Sequence, residues 1–426
     1  MNKLMSKLMN NLKKLYTTGA LHITIGTFAT KFVAIFGSIF VVRILDKSDY
    51  GLLGYIETIY GYAYLLIGFG LFNSLLRYLI IAKEERKETY FDYILKHSFF
   101  RDILIVLIIV FVNYWVTYPT NFSKTKFWLP ILAIVLPFED LATESLYALR
   151  ALFKNKVYAY FSFALSTTLI IGKLIGGYFF QINGVVISRI IVNCALAIIF
   201  FLYAKNQFVH KNELPLTFNE KKEVNIYALQ YMLTNGLWTI FMLNDTLLLG
   251  RLVNNPNVLA DYKVAYVFPG NLSIFANAIG TYVGPYFTKH ENEKEWVKRN
   301  YIKVFLVNVG IIGFVSIVLF VFAKPIILFV YGEEYANTYR LMRLLLVAAC
   351  INSGIRSVSA HLLASMGEIK YNMIVSLLGM VLSFVLDILL IGKYQAYGVA
   401  YSSCIAYAFM AIALNIIFYK KYYRKE

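Results

Sequence analysis

Twelve apolar runs, each long enough to cross a bilayer as a helix, fill this chain. They cover residues 16–42, 50–80, 94–118, 127–149, 157–180, 183–204, 224–250, 262–287, 301–323, 340–365, 371–392 and 396–419. A hydrocarbon core about 30 Å thick takes roughly 20 residues of helix, and charged or Pro/Asn-rich breaks separate the runs at that spacing. Strand alternation is absent from them. Backbone in lipid has to satisfy its own hydrogen bonds, so helices are the remaining choice. Of the 426 residues, 59% are hydrophobic and only 15% charged, whereas soluble domains carry about 25% charged residues. The expected fold is an all-α integral membrane protein with about 12 transmembrane helices.

Charge sets the expected orientation. With the N-terminus inside, the inward-facing ends and tails hold 26 of the 41 Lys and Arg, the outward-facing ones hold 10, and five lie within spans. That bias puts both termini in the cytoplasm of a cell with this protein in its plasma membrane. The net charge of +17 is then a positive-inside and lipid-surface signal that needs no nucleic acid to explain it. The opening MNKLMSKLMNNLKK precedes an apolar run too long for a signal peptide. Its Leu4, Leu8, Leu12 and Leu15 at i, i+4 spacing read as an interfacial amphipathic helix. Cys194, Cys350 and Cys404 lie singly in spans, and the five histidines show no ligand spacing, so no disulfide framework or metal site is expected.

The chain repeats itself. At an offset of 214, residues 181–198 and 395–412 share seven of 18 positions: Gln181, Gly184, Val185, Ser188, Ile191, Ala197 and Ile198 match Gln395, Gly398, Val399, Ser402, Ile405, Ala411 and Ile412. The same offset pairs Lys156 with Lys370 and Lys173 with Asp387. An offset of 212 pairs Asp49-Tyr50 with Asp261-Tyr262 and Arg77 with Lys289. Six spans per half put both halves in the same orientation, a parallel repeat of the kind alternating-access transporters use. The expected organisation is an N-terminal six-helix lobe at 1–204, a basic cytoplasmic linker at 205–223 and a C-terminal six-helix lobe at 224–426.

The segment VVRILDKSDYGLLGY after the first span, the LRALFKNK turn after the fourth, the QINGV turn and the 6+6 plan together resemble the polysaccharide biosynthesis family of lipid-linked oligosaccharide flippases, the Wzx type. That family belongs to the multidrug/oligosaccharidyl-lipid/polysaccharide exporter superfamily. The resemblance implies a V-shaped pair of six-helix lobes around a central cavity. It also implies a flippase that carries an undecaprenyl-diphosphate-linked sugar repeat unit from the cytoplasmic to the outer leaflet.

No GxxxxGK[ST] loop exists, GFGLFN at 68–73 lacks the third glycine of a dinucleotide site, and no loop is long enough for a catalytic domain. The expectation is a non-enzyme without cofactor. Its informative residues are the ionisable ones within spans, each costing about 2.5–3.5 kcal/mol at a helix centre and so tending to face a cavity or a partner. Lys31 lies mid-span on the side of Thr17, Thr24, Thr27 and Ser38, and is expected to contact substrate phosphate. Arg77 and Lys289, at matching repeat positions, are expected to flank an inward-facing mouth and receive a diphosphate. Arg356 completes the cationic set. Asp245, Glu57, Glu139, Asp140 and Glu144 are candidates for H+ or Na+ coupling, with ion pairing that neutralises buried charge within a lobe the competing account. Among the 34 Tyr and 34 Phe, Tyr62, together with Tyr231 and Trp238, is a candidate for stacking on sugar.

The resemblance, with these residues, implies a flippase for an anionic lipid-linked oligosaccharide in surface polysaccharide synthesis, working with membrane lipids and with polysaccharide assembly proteins as partners. Two alternatives stay open. A cation-coupled multidrug exporter of the same superfamily would favour an acidic cavity. An integral membrane polymerase or glycosyltransferase would be expected to carry a large outer loop, and the outer breaks here are short.

Overall fold

A computed structural model describes residues 20–208 and 215–422, without the side chains of 20–25, 234, 235, 237 and 238. The leucines of the N-terminal stretch and the Trp238 side chain lie outside the described residues. No strand occurs among those described. The first helices are α1 (Ala20–Ile44), α2 (Lys47–Tyr64), α3 (Leu71–Ile81), α4 (Lys87–Trp115), α5 (Thr125–Ala133), α6 (Leu136–Ala151) and α7 (Asn155–Lys205). They continue as α8 (Phe218–Val253), α9 (Pro256–Asn271), α10 (Ser273–Lys289), α11 (Lys294–Val321) and α12 (Ala323–Tyr331). The last are α13 (Thr338–Ala349), α14 (Ser357–Ser365), α15 (Ile369–Tyr394) and α16 (Ala396–Tyr422). The chain is a multi-pass membrane protein. Seven stretches among the described residues are long and apolar enough to cross a membrane unaided.

Several expected spans are not single rods. The run at 50–80 is α2 and α3 separated by Ile67–Gly70, where Gly68, Phe69 and Gly70 all take positive φ. The run at 127–149 is α5 and α6, with Pro137 in the first turn of α6 where proline's missing N–H costs nothing. The run at 340–365 is α13 and α14 joined by a π-helical turn, Cys350–Arg356. Hydropathy counts apolar residues and is blind to each of these breaks.

Contacts divide the chain into two compact units. Unit 1 comprises Met1–Asp49, Ile56–Tyr118 and Ser123–Ile240; unit 2 comprises Tyr50–Tyr55, Pro119–Phe122 and Phe241–Glu426. In unit 1, Leu71, Leu75 and Leu79 form an i, i+4 row on α3 that is wholly buried against Phe91, Ile94, Leu149 and Val224. In unit 2, Phe241, Tyr301, Leu362, Tyr407, Met410 and Phe418 form the corresponding core.

The repeat read from sequence is present in the backbone. Gln181 breaks α7 at φ 53°, ψ −137°, and Gln395 separates α15 from α16 at φ 52°, ψ −129°. Each is a one-residue corner between antiparallel helices. At the first corner a Cβ on Gly184 would collide with the backbone of Gly176, so these helices approach at a distance only glycine allows. At the second, a Cβ on Gly398 would fall 2.6 Å from the Leu390 carbonyl oxygen. The turns ahead of these hairpins match as well. Phe153 (φ 57°) and Gly367 (φ 79°) are left-handed residues 214 apart. The bonds Lys154 N to Leu149 O at 2.9 Å and Glu368 N to Leu363 O at 2.8 Å repeat with the same offset, each the outer bond of a Schellman ending.

Candidate functional site

Unit 1 gathers four of the charges placed within spans. Lys173 on α7 donates to Glu57 Oε1 of α2 at 3.0 Å. Arg189, beyond the Gln181 corner, lies 3.5 Å from the same oxygen and donates through Nε to Glu139 Oε1 of α6 at 2.9 Å. Tyr60 donates to Glu139 Oε2 at 2.8 Å and Asn193 Nδ2 to Oε1 at 3.3 Å. The Arg189 guanidinium also lies over the Tyr60 ring, 4.7 Å from its centroid. Two acids and two bases thus close on each other, so none of the four is left as an uncompensated buried charge. Glu57 and Glu139 are engaged by fixed cations of the protein.

Asp140, one residue beyond Glu139, points elsewhere because consecutive helical residues lie about 100° apart. It accepts from Ser98 Oγ of α4 and is buried with Glu144 and Asp102. Asp102 accepts the backbone N–H of Gly68 at 2.7 Å, and the preceding Arg101 donates to the Gly68 carbonyl at 3.5 Å. Adjacent residues of α4 therefore hold both backbone groups of one residue in the α2–α3 break. A Cβ at Gly68 would collide with Ser98 Oγ. Asp102 Oδ2, Asp140 Oδ1 and Glu144 Oε1 are buried without a donor, and Asp102 and Asp140 face each other. Asp102 was missed in sequence because its run counted as apolar; Ser98 and Asp102, four apart on one face of α4, were the available signal.

Unit 2 holds a second acid pair. Asp245 of α8 accepts from the Tyr262 hydroxyl at 3.2 Å and neighbours Asp387 of α15, which is fully buried. Neither Asp387 oxygen meets a donor in good geometry. Ser402 of α16 adjoins it and donates instead to the Ser383 carbonyl at 3.0 Å. Tyr262, Ser383 and Ser402 bring oxygen atoms to this pair and no positive charge. At the repeat-equivalent place in unit 1, Lys173 supplies the cation from within the chain.

The cationic candidates separate by burial. Arg356 ends the π-helical turn, is buried, and donates to Asn352 Oδ1 at 2.9 Å and Ser376 Oγ at 3.3 Å. Asn308 of α11 stabilises this turn by donating to the carbonyls of Ser353 and Gly354 at 2.9 and 2.8 Å. Lys31, Arg77 and Lys289 are exposed. Lys31 lies between exposed Phe28 and Phe32 on α1. Arg77 stands over the Tyr227 ring, 5.0 Å from its centroid, and Lys289 is the last residue of α10. Tyr62 is half-buried, and Tyr231 is 41% exposed.

Residues 40–340 match the family described as "Polysaccharide biosynthesis protein". The chain belongs to this polysaccharide biosynthesis family. No curated protein matches it in sequence. Among solved structures, lipid II flippase MurJ in an inward closed conformation superposes with a TM-score of 0.74 at 15% identity, covering 93% of this chain and 87% of MurJ. An inward-facing multidrug resistance MATE family transporter of the MOP superfamily gives 0.69 at 12% identity, covering 95% and 100%. A MOP superfamily transporter from Pyrococcus furiosus gives 0.62 at 13% identity, covering 96% of each chain. This family member therefore carries the MOP superfamily fold.

Proposed function

We propose that the protein is a flippase that moves an anionic undecaprenyl-diphosphate-linked oligosaccharide from the cytoplasmic to the outer leaflet of the plasma membrane, by alternating access of its two lobes. Membership of the polysaccharide biosynthesis family on a fold shared with a lipid II flippase carries this reading. The charge arrangement supports it. Lys31, Arg77 and Lys289 stand on exposed helix faces, while Glu57 and Glu139 are neutralised by Lys173 and Arg189. Exposed cations suit a diphosphate better than a cationic drug.

Export of an anion from a negative-inside cell gains about 2.3 kcal/mol per charge per 100 mV. Potential alone can therefore drive the step. The Asp245–Asp387 pair, with the Ser402 and Tyr262 oxygens beside it, has the donor set to take up H+ or Na+ as a coupled substrate. The termini are read as cytoplasmic, with polysaccharide assembly proteins as partners.

The test is leaflet flipping of defined undecaprenyl-diphosphate sugars in proteoliposomes. Wild-type protein should translocate them and Lys31→Glu should not, at equal expression. Preferential efflux of cationic drugs, with no flipping of the lipid, would overturn the reading.

A further inference from the structure

α10 and α14 of unit 2 approach through two glycines of α10. A Cβ on Gly280 would fall 2.8 Å from His361 Cγ, and one on Gly284 would fall 2.8 Å from Ser365 Oγ. Beside this contact the two helices part around a cavity of ≈ 530 Å³, lined by Gly280, Thr281, Gly284, Thr288, His361 and Ser365. Pro285 and the two glycines give the lining its apolar part, and the hydroxyls of Thr281, Thr288 and Ser365 with the His361 ring give it its polar part.

Hydrogen bonding within the wall decides what the cavity presents. Thr288 Oγ1 donates to the Ser365 carbonyl at 2.7 Å, and Ser365 Oγ donates to the His361 carbonyl at 2.9 Å. His361 Nε2 pairs with Asn277 Oδ1 at 3.0 Å; since that oxygen only accepts, Nε2 carries the proton and the neutral ring keeps Nδ1 as an acceptor. The donors of Thr288, Ser365 and His361 are thus spent inside the wall, and these three groups offer lone pairs. An acceptor-rich surface repels phosphate and carboxylate oxygens and matches a ligand that brings many O–H donors. Lys289, one residue past Thr288 at the end of α10, supplies the anion contact that the cavity itself does not. From Gly280 to Lys289 is about 13.5 Å along the helix axis.

We propose that this groove seats a sugar ring of the lipid-linked substrate, its hydroxyls donating to Thr281, Thr288, Ser365 and His361, with the diphosphate held beside Lys289. The proposal rests on the flippase reading above.

The experiment compares binding of two probes to the full-length detergent-solubilised protein: bare undecaprenyl diphosphate, and undecaprenyl-diphosphate glycans extracted from the source cell. Thr281→Leu fills the groove, and Thr288→Val removes one acceptor at nearly constant volume. Each should weaken binding of the glycan-bearing lipid by roughly tenfold and leave the bare lipid unchanged, which also reports that the variant is folded. Lys289→Ala should weaken both probes alike. Unchanged glycan binding in both groove variants overturns the groove. Equal loss of both probes in Thr288→Val also overturns it, by assigning the groove to the lipid. Wild-type protein that binds neither probe overturns the flippase reading itself, and the groove with it.

Discussion

Lys173 and Asp387 stand at the same place in the two repeats with opposite charge and opposite surroundings. Lys173 meets a carboxylate at 3.0 Å, whereas Asp387 is fully buried beside another acid. One position thus brings its own cation, and the other faces a second acid.

Lys173→Met should therefore be costly alone. It leaves Glu57 sharing Arg189 with Glu139, and destabilisation of about 2 kcal/mol is expected. Adding Glu57→Gln should recover most of the loss, because the orphaned charge is removed with its partner. Thermal unfolding of the purified single and double variants checks this non-additivity.

Asp387→Asn places a neutral amide beside Asp245. Gradient-dependent flipping in proteoliposomes should be lost, while flipping driven by potential persists. An Asp387→Asn protein that still follows an imposed H+ or Na+ gradient would remove this pair from coupling.

Gly68→Ala should destabilise unit 1 by about 2 kcal/mol or more, since the residue is left-handed at φ 50° and its new methyl would collide with Ser98 Oγ. Phe153→Gly should do the reverse. Phe153 is 72% exposed and occupies the left-handed position that Gly367 fills in the other repeat. A gain of about 1 kcal/mol is expected in thermal unfolding.

Glu220 opens α8 with a capping box. Its Oε2 accepts from Thr217 N and Oγ1, both at 2.8 Å, and Arg86 reaches its two oxygens at 2.7 and 3.2 Å. The Thr217 N–H, foremost, and then the Thr217 hydroxyl and Arg86 lower its pKa. A depressed acid contributes stability that is complete above its ordinary value, about 4.3, and lost as pH falls through the lowered one. The stability difference between wild type and Glu220→Gln, about 1 kcal/mol, should be flat above pH 5 and vanish below the lowered pKa.

The spans, the duplication and the Gln181/Gln395 corners were legible because apolar length and a repeated Gln-x-x-Gly-Val are properties of the string itself. Partnerships were not. Glu139, Asp140 and Glu144 read as one acidic group, and helix geometry sends Glu139 to Arg189 and the other two to Asp102. Arg356 read as a cavity cation, but its burial depends on how the π-helical turn packs, which no spacing rule encodes. The break at 67–70 was hidden for a related reason: two glycines in an apolar run reveal permission for positive φ, and only the tertiary contacts of α4 use it.

The one-residue corners also have a mechanical meaning. Helices joined by a single hydrogen-bonded residue, and pressed together at Gly176 and Gly184, have no slack with which to slide. In each repeat the last two helices follow one another with a single corner residue and no loop between them. Away from these hairpins the rods are interrupted at Ile67–Gly70, where Arg101 and Asp102 hold the Gly68 backbone, and at Cys350–Arg356, which Asn308 braces.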